Sequence, residues 1–177
     1  IESYDLEVQG AIPPELEGIF LRNGSNPTAG TSQHWFIGDG MLHGVRFSGG
    51  RALWYRNRWV RTYAYENRSG DNLASNRANT SVVHHAGKLL ALYEAGVPHE
   101  LSPSDLSTIG EYDFGGNLVG PMTAHPKVDQ RSGECCFIGY SPVSPYLRYH
   151  EADAMGTLTL SREIEVPQPT MMHDFQL

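Results

Sequence analysis

Three residues in this chain have the types and settings that chemistry requires: His125, Glu94 and His173. His125 stands in Gly120-Pro-Met-Thr-Ala-His-Pro-Lys127, directly before a proline and ahead of the turn Asp129-Gln-Arg-Ser-Gly133 and the apolar run Cys135–Tyr140. Proline fixes its own φ and biases the residue before it toward extended backbone. His125 is therefore held in a stiff, non-helical entry to a buried strand. A loop histidine in solvent needs no such setting, whereas a metal ligand or general base does. Glu94 closes Lys88-Leu-Leu-Ala-Leu-Tyr-Glu94. In a strand Leu90, Leu92 and Glu94 share one face and Leu89, Ala91 and Tyr93 the other. Both faces are apolar, which predicts a strand buried on two sides. A carboxylate ending such a strand must find a hydrogen-bond partner or take up a proton, because an unpaired buried charge costs several kcal/mol. It either reaches solvent or a backbone amide, or accepts a proton from a metal-bound imidazole and fixes that ring's tautomer.

His173, in Pro169-Thr-Met-Met-His-Asp-Phe175, also follows a proline and is flanked by apolar residues. It reads as a satisfied core histidine or as a second ligand. His125 and His173 are 48 residues apart, which is no local metal motif of the His-Glu-x-x-His kind. They can meet only as radial ligands, each from the inner strand of a different blade of a closed all-β fold. Of the other histidines, His34 and His43 flank Gly38-Asp39-Gly40 and read as structural, and only one of His84 and His85 can point inward. His99 and His150 fall near turn or strand ends and read as surface or hydrogen-bonded structural groups. There is no Gly-x-Ser-x-Gly elbow, no Gly-rich phosphate loop and no Cys-x-x-Cys pair.

The elements around these residues are short strands separated by turn signals. Ile19–Arg22 is a strand candidate ended by Asn23-Gly24 and Asn26-Pro27. Residues 34–47 read as a hairpin around Gly38-Asp39-Gly40, and Ser48-Gly49-Gly50 turns the chain into Arg51–Thr62. After a polar loop over residues 66–79, Ser81–His85 and Lys88–Glu94 flank Ala86-Gly87. Three later stretches repeat strand, polar turn, strand: His99–Asp113, His125–Tyr140 and Tyr146–Val166. Asp174–Leu177 reads as the start of another strand. No twelve-residue stretch holds a helical period. Such a succession predicts an all-β sandwich, barrel or propeller, and the recurring hairpin layout points to propeller blades.

Composition bounds the function. With 177 residues, 40% hydrophobic and 19% charged, the chain is globular and long enough for a core. Its net charge of −7 and the lack of a lysine/arginine cluster argue against nucleic acid and against a purely electrostatic grip on anionic membranes. The arginines interleaved with Trp54, Tyr55 and Trp59 read as a hairpin bearing ion pairs. Cys135 and Cys136 are strand neighbours on opposite faces, so no disulfide joins them. No signal peptide or membrane-length apolar window is visible. The expectation is a cytoplasmic protein, with peripheral membrane attachment left open.

Six stretches, in order, resemble the carotenoid cleavage oxygenase family, which includes plant carotenoid dioxygenases, bacterial apocarotenoid and stilbene oxygenases and the retinoid isomerase of the visual cycle. They are Glu17–Pro27, His34–His43, Tyr55–Thr62, Asn79-Thr80 with Lys88–Glu94, Thr123–Lys127 and Met171–Phe175. The resemblance implies a seven-bladed β-propeller with a non-haem Fe(II) on its axis, held by four histidines and supported by three glutamates. His125 falls on the first ligand position, His173 on the second, and Glu94 on the glutamate that steadies the second histidine. The implied reaction uses dioxygen to split a conjugated carbon–carbon double bond into two carbonyls, without an organic cofactor. The implied partners are an apolar polyene and O2. The remaining ligands lie further along in the family, so residues 1–177 are expected to be the N-terminal portion of a single propeller domain. Stilbene-cleaving relatives tend to carry a lysine where this chain has Tyr93, and Ser144–His150 looks most like bacterial carotenoid and apocarotenoid members. A carotenoid or apocarotenoid dioxygenase is the leading expectation. A stilbene cleaver, a retinoid-type isomerase on the same site and a metal-free binding propeller stay open.

Overall fold

Turn chemistry sets most strand boundaries in the computed structural model, which describes residues 1–28, 30–32, 34–67 and 75–177. The first sheet contains β1 (Glu2–Tyr4), β2 (Gly18–Asn26), β3 (Asp39–Ser48) and β4 (Arg51–Trp59), in the order β1-β4-β3-β2. Gly49 and Gly50, at φ 54° and 74°, make the two-residue turn from β3 to β4. Both central residues of such a turn need positive φ, which its twist matches to the strands. Ala86 and Gly87 do the same between β5 (Ser81–His85) and β6 (Lys88–Leu92). With β7 (His99–Leu101) and β8 (Thr108–Glu111) these form the second sheet, in sequence order. The third sheet follows the same plan with β9 (Lys127–Val128), β10 (Cys135–Tyr140), β11 (Leu147–Ala152) and β12 (Leu158–Glu163). A one-turn helix, α1 (Tyr63–Glu66), is capped by the Thr62 side-chain oxygen, which accepts from the Tyr65 amide.

The three antiparallel sheets are blades of a β-propeller, and two apolar clusters lie between them. Leu42, Val60, Leu101 and Leu106 meet Leu89 and Ala91 in one. Leu90 and Leu92 meet Met122, Phe137 and Phe114 in the other. Strand β6 is thus buried on both faces, as its two-sided apolar pattern predicts. Each fully buried leucine there contributes roughly 1.5–3 kcal/mol. Polar ties hold the first two sheets in register. Asp39 and Arg77 form a buried ion pair at 2.7 Å, and the Asn23 amide donates to the carbonyls of Ala78 (2.7 Å) and Ser81 (2.9 Å).

Several expectations need correction. Strand β2 runs through Asn23-Gly24 to Asn26, because the Asn23 side chain serves the carbonyls of Ala78 and of Ser81 in β5 instead of forming a local turn. It ends immediately before Pro27, which disfavours continuation. Gly38-Asp39-Gly40 is no hairpin turn. Strand β3 begins at Asp39, and a Cβ on Gly40 would collide with the Ala78 carbonyl oxygen, so this glycine admits a close backbone approach. Strand β1, ahead of Ile12-Pro13-Pro14 and not singled out in the sequence, pairs with β4. Asp174–Leu177 is not a strand. The polar loop expected over 66–79 falls outside the described residues at 68–74. The arginine-rich hairpin does carry ion pairs: Arg51 to Asp5, Arg56 and Arg58 to Glu2, and Arg61 of the following segment to Glu66.

Candidate metal centre

Glu94 lies in the turn just after β6, where Leu92 leaves the buried strand. The turn is tied to the segment ahead of His125 by the Met122 amide, which donates to the Gly96 carbonyl at 3.0 Å. That segment is seated on β10 by the Thr123 amide, 2.8 Å from the Ile138 carbonyl. The Ser81 hydroxyl at the start of β5 donates to the Ala124 carbonyl at 2.5 Å. His125 is therefore fixed from two sheets before its side chain makes any contact.

The fully buried Thr123 hydroxyl bridges the two histidine segments. It accepts from the His125 amide and donates to the His173 carbonyl, both at 3.3 Å. Lys127 holds the next residue of the second segment through an ion pair with Asp174 at 2.6 Å. The two imidazoles meet edge to face with centroids 4.4 Å apart. Glu94 Oε2 lies 3.0 Å from His173 Nδ1, and the Tyr140 hydroxyl donates to Glu94 Oε1 at 2.9 Å. One ligand atom from each of Glu94, His125 and His173 falls within 4.8 Å of the others.

The chemistry of this arrangement follows from donor and acceptor roles. An ionised carboxylate only accepts, so His173 must present Nδ1–H to Glu94 and leave the Nε2 lone pair free. His125 Nε2 is buried and has no protein partner. Burial, and then the bond to Glu94, push the Tyr140 phenol well above its ordinary range, which keeps the hydroxyl a donor. Glu94 retains some solvent access, its side chain being 17% exposed, while that of His173 is 57% exposed. His173 is therefore not a core histidine in this chain.

The remaining histidines are elsewhere. His34 Nδ1 accepts from the Phe36 amide, His43 bonds the Tyr55 hydroxyl at 2.7 Å, and His85 points inward to the Gly133 carbonyl while His84 is exposed. His99, at the start of β7, is buried and hydrogen-bonded to the Val97 backbone, a structural role as read from the sequence, whereas His150 corrects that reading. His150 sits in the middle of β11, stacked on Phe137 at 4.8 Å, with neither ring nitrogen hydrogen-bonded, and burial lowers its pKa to about 4. Sequence reasoning missed Tyr140 and Thr123 as contributors. Tyr140 carries the signal that singled out Glu94, a polar group ending an apolar strand. Cys135 and Cys136 are both free.

Known proteins share this chain's sequence and fold. The family model described as retinal pigment epithelial membrane protein matches residues 1–177. A carotenoid cleavage oxygenase of Mycobacterium tuberculosis is 40% identical over 191 residues, covering 100% of this chain and 38% of the relative. The structure of Pseudomonas brassicacearum lignostilbene dioxygenase superposes with a TM-score of 0.88 at 32% identity, covering 99% of this chain and 42% of that one. Cobalt-substituted Synechocystis apocarotenoid oxygenase superposes at 0.82 with 32% identity, over 99% and 44% of the two chains. This chain thus spans about two fifths of the length of the relatives it matches. A family match along the whole chain, on a fold that agrees, means that this chain belongs to the carotenoid cleavage oxygenase family.

Proposed function

We propose that this chain supplies part of the iron site of a dioxygenase that splits one conjugated double bond of a carotenoid or apocarotenoid. In this reading His125 and His173 hold Fe(II) through Nε2, and Glu94 holds His173. The observation that carries it is a buried imidazole nitrogen without a protein partner, His125 Nε2, beside a second imidazole whose Nδ1 is bonded to a carboxylate. Both donors fit a borderline divalent metal: neutral, nitrogen-based and near enough to share one ion. The cobalt-substituted relative supports a transition metal in this family.

Held by the imidazoles of His125 and His173, Fe(II) would supply a redox-active cation able to engage dioxygen. The overall reaction balances without a further reductant, since both oxygen atoms of O2 end in the two carbonyl products. The share of these residues is placement. Glu94 fixes one tautomer of His173 and, as a group held back from the metal, raises that imidazole's basicity. Thr123 keeps the two histidine backbones at a set spacing. Tyr93, buried next to Glu94, puts an aromatic and not a cation at this position, which supports an apolar polyene over a phenolate.

Phenylpropenoid cleavage is the second reading, supported by the likeness to lignostilbene dioxygenase. Iron-loaded protein incubated separately with an apocarotenal and with resveratrol separates the two. Aldehydes from the apocarotenal are expected, and aldehydes from resveratrol alone would overturn the substrate assignment. Protein that resists reconstitution with iron would instead support a non-catalytic propeller.

A further inference from the structure

We infer that Tyr140 is a positioning residue of this centre, aligning the Glu94 carboxylate so that it holds His173 in one tautomer. The inference rests on the reading of Glu94 as the support of a metal-bound His173.

Glu94 sits in a turn of the second sheet, beyond the last paired residue of β6. On its own, a glutamate there has three side-chain torsions to settle, and one hydrogen bond to His173 leaves the carboxylate free to swing about it. Tyr140 removes that freedom from a different direction. It ends β10 in the third sheet, where six consecutive pairs from Cys135↔Ala152 to Tyr140↔Leu147 fix the register. Its hydroxyl takes Glu94 Oε1 while His173 takes Oε2, so each carboxylate oxygen has its own donor, at 2.9 and 3.0 Å. The plane of the carboxylate is then defined by two sheets together. Precise placement of a ligand's supporting group is what outer contacts of a metal site contribute. The neighbouring residue shares in the geometry. Gly139 has no Cβ, which lets Pro121 lie directly on the strand and brings the Thr123–His125 segment to the same end of β10.

A purely structural role, a tie between two blades, would give Tyr140 an effect on stability but none on the metal. Co(II) affinity, measured by competition with a chelator, separates these cases in a four-way set: wild type, Tyr140→Phe, Glu94→Gln and the double variant. Tyr149→Phe serves as control, because that hydroxyl donates to Glu151 within β11 and not to Glu94. Tyr140→Phe is expected to weaken Co(II) about 3–10-fold, the range of one hydrogen bond, and Glu94→Gln about 10–100-fold. If Tyr140 acts through Glu94, the double variant binds no more weakly than Glu94→Gln alone. Wild-type affinity in Tyr140→Phe, or a loss that adds in full to that of Glu94→Gln, would overturn the inference while leaving Glu94 in place. An unchanged Glu94→Gln affinity would remove the reading of Glu94, and Tyr140 with it.

A second measurement needs no metal. The ring nitrogen-15 shifts of His173 in metal-free protein report its tautomer. The wild type is expected to hold Nδ1–H, and Tyr140→Phe to gain an Nε2–H population. Identical tautomer populations in the two proteins would also overturn the inference.

Discussion

Gly139→Ala makes the sharpest claim about how the centre is built. A Cβ at Gly139 would fall deep inside the 3.0 Å that real Cβ atoms essentially never breach, against the Pro121 carbonyl oxygen, and 3.1 Å from the Pro121 carbonyl carbon. Both obstacles are backbone, so no side chain can turn aside. The 121–125 segment must back away from β10 by about 1 Å, in an interior packed too densely to absorb the shift. Overpacking of this kind costs about 1–3 kcal/mol. The retreat also stretches the Thr123 amide bond to the Ile138 carbonyl, now 2.8 Å, worth about another 1 kcal/mol. The expected loss is therefore about 2–4 kcal/mol by urea denaturation. Because the same segment carries His125, metal affinity is expected to fall as well. Gly24→Ala is the matched control, since its Cβ would meet only the Arg22 side chain at 3.5 Å. If Gly139→Ala proved as mild as Gly24→Ala in stability and metal affinity, the proposed seating of His125 on β10 would be wrong.

Two further outcomes follow from buried charge. Asp39→Asn leaves Arg77 facing a neutral partner across a pair buried on both sides, and is expected to cost about 3 kcal/mol in the same assay; a loss under about 0.5 kcal/mol would mean the pair does not tie the first two sheets. The pKa of His150 is lowered by burial first and by Arg148 second, to about 4 from 6.5. The unfolded chain therefore takes up this proton first, so the contribution is full above pH 6.5 and is lost as pH falls toward 4, by up to about 3 kcal/mol. Burial lowers the pKa of His99 and His43 too, which adds to the same slope. His150→Leu is expected to flatten stability between pH 7 and 5, and an unchanged slope would refute the assignment.

Much of the fold could be read from local chemistry. The turns at Gly49-Gly50 and Ala86-Gly87 need only two residues with positive φ, and the two-sided burial of β6 is written in Leu89–Leu92. What failed was non-local. Asn23-Gly24 carries a turn signal, yet Asn23 is consumed by carbonyls 55 and 58 residues away. Gly40 has the same sequence signature whether it turns the chain or lets Ala78 approach. The buried, unpartnered imidazole of His150 lies in a strand whose sequence does not say which neighbour will cover it. In the candidate site, His125 was legible through its proline and Glu94 through its apolar strand. The meeting of Glu94 with His173, 79 residues apart, was not in the spacing. It came from the family resemblance, because propeller closure joins residues that no sequence window contains.

The central claim is that His125 and His173 share one iron. Anomalous diffraction from crystals of iron-loaded protein, collected on both sides of the iron edge, tests it directly. A single iron peak in contact with Nε2 of His125 and Nε2 of His173 is expected, with Glu94 on the far side of the His173 ring. An iron peak that touches neither histidine, or iron bound by Glu94 in place of His173, would contradict it.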